Sequence, residues 1–216
     1  MLPLIVKLHV ASSAMTGVVA SASPMPLPVF SAASLATTFS TPTETHFYDE
    51  NEHQEATLVI WRDGTTDDET SVQVKHLFRC RQTHFERMIK KQTLAMLAAT
   101  SEHFDNRTIS FASAVRVGRG EGAESPHRAG RAVDFRVHGI KQTDVRDYLW
   151  RTFTEVGVGW YPSEGFVHID TRPKDQDCAW TFYNGDNHYH PYWAEVARRP
   201  ATDKPEIKPD HRKPGS

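Results

Sequence analysis

The chain has 216 residues, with 25 Lys+Arg against 27 Asp+Glu. That length fits one domain with tails rather than two, and the near balance of charge offers no electrostatic footprint for nucleic acid or anionic lipid. Cys80 and Cys178, the only cysteines, exclude a disulfide framework and a paired-cysteine zinc ribbon but leave one bridge open to an exported chain; twelve histidines bring metal binding into view.

Residues 1–45 read as a leader or signal-like segment followed by a flexible linker. Residues 2–6 and 18–20 are apolar, and Ala20-Ser21-Ala22 has the small-residue form of a signal-peptidase site. Lys7 and His9 interrupt the apolar run, and no basic stretch precedes it. Residues 23–45 are rich in Ser, Ala, Thr and Pro without a strand or helix period. The folded domain is expected over 46–200, beginning near His46.

Within it, residues 56–61 are β-branched and apolar and run into Arg62-Asp63-Gly64, a strand closed by a turn. Leu94, Leu97 and Ala98 have helical spacing. Val145, Tyr148, Leu149 and Val156 repeat it, with Thr143 as N-cap and Gly157 as stop. Three short strands are expected at 109–117, 132–137 and 166–171. The Pro- and charge-rich end, 201–216, has no apolar face to bury and reads as a disordered tail. No segment is apolar enough to span a membrane.

Alternate side chains of a strand share a face. Burying Val133, Phe135 and Val137 turns Asp134 to the other side, and burying Val167 and Ile169 places His168 and Asp170 together on the opposite face. In 109–117, Arg116 shares a face with Ala112 and Ala114, which are small enough to leave space beside it. His127 precedes the second strand, and Gly130 permits a tight turn that folds the imidazole back toward Asp134. Two imidazoles and a carboxylate suit zinc, and three protein ligands leave a fourth position for water, as in a catalytic site. Ser125 reads as a turn or hydrogen-bonding residue. His188 and His190, in Asn187-His-Tyr-His-Pro191, read as part of an aromatic-rich surface patch.

Ser125-Pro-His127-Arg-Ala-Gly130-Arg-Ala132-Val-Asp134, followed by Phe166-Val-His168-Ile-Asp170, resembles the M15 zinc peptidases, closest to their murein endopeptidase branch. The resemblance runs from about Ala56 to Thr171 and includes Ser113-Ala-Val-Arg116 and Val156-Gly-Val-Gly-Trp-Tyr-Pro162. It implies an α+β fold of the hedgehog/DD-peptidase type, a small antiparallel sheet packed with helices, with a zinc cleft on the sheet. It also implies one Zn2+ held by His127, Asp134 and His168, and Arg116 on substrate or the developing oxyanion. Many relatives carry an acidic base three residues before the last histidine ligand, where this chain has Gly165. Asp170 and Glu164 are therefore the candidate proton carriers, Asp170 by its position beside His168. The implied activity is hydrolysis of peptidoglycan cross-link peptides outside the cytoplasm, in the periplasm or cell envelope. The alternatives are a D-Ala-D-Ala carboxypeptidase and an inactive zinc-stabilised cell-wall-binding module.

Overall fold

Ten strands and four helices are present among the residues that the computed structural model describes, Phe30–Ser31 and 42–198. The expected signal-like leader and the expected tail at 201–216 lie outside them. In chain order the elements are β1 (Phe30–Ser31), β2 (Pro42–Asp49), β3 (Gln54–Trp61), α1 (Asp68–Leu77), α2 (Lys91–His103), β4 (Ile109–Ser113) and β5 (Ala132–Val137). They continue with α3 (Gln142–Thr152), β6 (Phe153–Thr154), β7 (Val156–Tyr161), β8 (Phe166–Thr171), β9 (Cys178–Tyr183), β10 (Asp186–Tyr189) and α4 (Tyr192–Arg198). None of the helices among the described residues is long and apolar enough to cross a membrane.

The α+β class is as expected, but the sheet is neither small nor purely antiparallel. Eight strands run in the order β10-β9-β7-β8-β5-β4-β2-β3, and β2–β4 and β7–β9 pair parallel. The β2–β4 pair is parallel because β3, α1 and α2 intervene and return the chain to the starting edge, as parallel pairs require. β1 pairs with β6 in a separate two-stranded ladder, inside the stretch expected to be linker. β2 begins at Pro42, ahead of the expected start at His46.

One face of the sheet forms the core. Val133, Phe135, Val137, Val167 and Ile169 join Leu94, Met96 and Leu97 of α2 and Val145 and Leu149 of α3 in one buried cluster. Residues 93–98 of α2 are all buried, as for a helix enclosed on most sides rather than laid on a surface. Asp67 caps α1 by accepting from the Thr70 N–H at 2.7 Å. Gly64, at φ 79°, closes the expected turn after β3.

Two expected boundaries move. α3 ends at Thr152, not Gly157: Phe153 is extended, Glu155 turns the chain at φ 58°, and Val156 and Gly157 open β7. Its N-cap is Lys141 rather than Thr143. The strand expected over 109–117 stops at Ser113 after a register shift between Phe111 and Ser113. Beyond it Ala114 and Val115 are both buried, so the alternation that put Arg116 on a strand face gives way to a loop wall. Cys80 and Cys178 are both free thiols.

Candidate metal centre

β5 and β8 pair antiparallel with Asp134 directly opposite His168 and Ala132 opposite Asp170. Because Val133, Phe135, Val167 and Ile169 face the core, the polar residues between them face the other way, as their alternation predicts. His127 arrives from the loop between β4 and β5. There Gly130 N–H donates to the His127 carbonyl at 3.1 Å and Lys90 N–H to the Gly130 carbonyl at 2.7 Å. Gly130 has φ 67°, and a Cβ on it would lie 2.7 Å from the Met88 carbonyl oxygen, so the turn needs glycine.

His127, Asp134 and His168 are 1%, 4% and 4% exposed, and each offers one atom to a common point. The Nδ1 of His127 donates to the Ala114 carbonyl at 2.6 Å, which leaves Nε2 free to face its partners. That Nε2 is 3.2 Å from His168 Nδ1 and 3.4 Å from Asp134 Oδ2, and His168 Nδ1 is 2.7 Å from Asp134 Oδ1. A tetrahedral zinc with bonds of about 2.0–2.1 Å sets its ligand atoms about 3.3 Å apart. The 3.2 and 3.4 Å spacings and the donor set fit such an ion, while the 2.7 Å contact between His168 and Asp134 is a direct hydrogen bond. No other group of metal-ligating side chains is present among the described residues.

His168 is held from behind. Its Nε2 donates to Asp170 Oδ2 at 3.0 Å, and Arg172 grips that carboxylate with Nε to Oδ1 at 2.5 Å and Nη2 to Oδ2 at 2.8 Å. The Trp180 ring lies 5.0 Å from the His168 ring, and its indole N–H donates to the Tyr161 hydroxyl at 3.3 Å. Two glycines of β7 make room for this support. A Cβ on Gly157 would lie 2.4 Å from Asp170 Oδ2, and one on Gly159 2.4 Å from the Trp180 ring.

Electrostatics follow from this packing. Burial counts against a charged imidazole at His168, but the bonds to Asp134 and Asp170 outweigh it and raise the pKa to about 9. Burial also opposes ionisation of Asp134, yet His127 and His168 hold its carboxyl well below the usual carboxylate range. Asp170 is likewise held low against its burial, by His168 and Arg172. A site that favours positive charge this strongly suits a dication.

Arg116 stands at the edge of the centre, with Nη1 3.3 Å from Asp134 Oδ2 and Nε 3.1 Å from Glu121 Oε2. It lines a cavity of about 390 Å³ with Ala112, Ala114 and Glu121, a cavity whose walls include none of His127, Asp134 and His168. The structure thus brings together His127, Asp134, His168, Asp170 and Arg116. It leaves Glu164 exposed on the turn after β7, where Arg136 donates to the Glu164 and Gly165 carbonyls. His188 stacks on Tyr183 at 3.6 Å, in the expected aromatic patch. Sequence reasoning missed Glu121, Arg172 and Trp180. Only Arg172 carried a signal, two residues beyond Asp170 and just past the end of β8.

A family profile described as peptidoglycan L,D-endopeptidase MepK matches residues 38–176. The probable peptidoglycan L,D-endopeptidase MepK of Haemophilus influenzae is 38% identical over 58 residues, 27% of this chain and 31% of the relative. The peptidoglycan L,D-endopeptidase MepK of Escherichia coli K12 is 42% identical over 55 residues, 26% of this chain and 30% of the relative. The matched stretch thus spans less than a third of the curated relatives' length. No solved structure matches the chain. Since the profile runs through His127, Asp134 and His168 and covers more than half of the sequence, the chain belongs to the peptidoglycan L,D-endopeptidase MepK family.

Proposed function

We propose that this chain is a zinc-dependent metallopeptidase that hydrolyses peptide cross-links of bacterial peptidoglycan, and that it works in the periplasm or cell envelope, where that polymer lies. The observation that carries the reading is the convergence of His127, Asp134 and His168, all buried, with one ligand atom from each within 4.8 Å of the others. The substrate class and the location rest on the family.

Those three groups would hold the zinc, which when bound polarises the scissile carbonyl and acidifies the attacking water. The chain's own residues divide the remaining work. Arg116, with its side chain 44% exposed, has N–H donors beyond those that face Asp134 and Glu121, and these bind the carbonyl oxygen as negative charge develops on it. Asp170 was offered two tasks by its position beside His168, taking a proton or orienting the ligand. Its oxygens are engaged by His168 Nε2 and by Arg172, so its task is orientation: it fixes the tautomer that presents Nδ1. Glu164 lies beyond Phe166, itself two strand residues or about 7 Å along the chain from His168.

Purified protein loaded with zinc should release product from soluble cross-linked muropeptides, lose that activity to a chelator and regain it with zinc. Mass spectrometry identifies the bond cut. Products from uncross-linked pentapeptides alone would assign a carboxypeptidase, and zinc-replete protein that cleaves neither substrate would assign a binding module.

A further inference from the structure

The cavity beside the centre carries a charge pattern that the metal ligands do not account for. Arg79, Arg81, Arg116 and Arg119 line its volume of about 390 Å³, and Glu121 is the only carboxylate in its walls. We infer that this cavity is a subsite for a carboxylate group of the substrate, anchored by the Arg119 guanidinium; the inference deepens the hydrolase reading above and rests on it.

The four cations differ in what they can do. Arg79 donates to the His76 carbonyl at 2.6 Å and pairs with Glu52 at 3.1 Å, while Arg81 donates to the Leu77 carbonyl at 2.7 Å and pairs with Asp49. Their side chains are only 10% and 20% exposed, so they form a fixed wall, and their acidic partners are not part of the cavity lining. Arg116 joins the cavity to the centre, because the guanidinium that lines the one stands 3.3 Å from Asp134 Oδ2 in the other. Arg119 is exposed between Gly118 and Gly120 and has no hydrogen-bond or ion-pair partner among the described residues. Glu121 does not engage it, since its Oε2 is held by Arg116 Nε at 3.1 Å.

An unpaired guanidinium in a cleft lined mainly by one sign of charge favours an anion. Its planar fork of N–H donors matches the two oxygens of a carboxylate. A peptide whose scissile carbonyl oxygen lies against Arg116 has its neighbouring substituents at the edge of this cavity, because the same side chain belongs to both. The volume is at the small end of ligand pockets, enough for a peptide substituent and not for a polymer strand. Either a free C-terminus or an acidic side chain of the peptide supplies the group, and both present the same pair of oxygens.

The test compares a soluble cross-linked muropeptide with two amidated forms, one blocked at its C-termini and one at its side-chain carboxylates. Calorimetry on chelated full-length protein reads affinity without consuming any of them. One of the two amidations should weaken binding about tenfold or more, which identifies the carboxylate that is held, and the other should change it less than about twofold. R119A should weaken the acid form by a similar factor and leave the affinity for the sensitive amide unchanged, while R119K restores part of the difference. Raising the salt concentration should shrink the preference for the acid. Absence of binding, equal affinity for all three ligands, or an R119A protein that discriminates as wild type does overturns the inference and leaves the hydrolase reading standing. Zinc-loaded wild type that cleaves nothing while the preference that depends on Arg119 persists overturns the hydrolase reading and leaves a carboxylate-binding site.

Discussion

At the scale of single residues, His168 is surrounded by groups that each restrict it. Asp134 and His127 face its Nδ1, Asp170 takes its Nε2, and Trp180 packs on its ring. A ligand so oriented binds metal without first losing rotamer freedom. Asp170→Asn keeps the shape but removes the charge that favours the cation-binding form and leaves Arg172 without its carboxylate. Zinc affinity, measured by competition with a chromophoric chelator, should fall roughly 10–100-fold while the fold persists. An unchanged affinity would show that Asp170 does not tune the ligand.

At the scale of elements, β7 is the strand through which support reaches the centre. Its Val-Gly-Val-Gly alternation buries Val156 and Val158 in the core and leaves the other face bare for Asp170, Arg172 and Trp180. Gly159→Ala forces the Trp180 ring away from His168 and should cost about 1–3 kcal/mol in denaturant unfolding, with a shift in indole fluorescence. The faces of β5 and β8 were legible from alternation alone, and with them Asp134, His168 and Asp170, because a buried face fixes side-chain direction. Arg116 was found by sequence pattern, but its setting was not, since a register shift in β4 ends the alternation before it. The end of α3 was hidden for a related reason: Glu155 takes φ 58° with no glycine to announce it. Glu121 was invisible because its partner, Arg116, is reached across a loop and not along a period.

At the scale of the whole molecule, the centre ties the middle of the sheet to the β4–β5 loop. A ligand that binds only the folded state adds stability as its concentration rises, about 4 kcal/mol at a thousand times Kd. Zinc-loaded protein should therefore melt several degrees above chelated protein in a calorimetric scan. Equal midpoints would mean that the three residues do not hold the ion in the native state.

Asp134 and His168 face each other across neighbouring strands, while 41 positions of sequence separate His127 from His168. A slip of one residue between β5 and β8 would turn His168 into the core and abolish the site. The three side chains can therefore meet only after β8 has docked in its correct register. An unfolded chain carries no preformed site, so if the proposed centre binds metal, metal content reports whether the sheet was assembled in register.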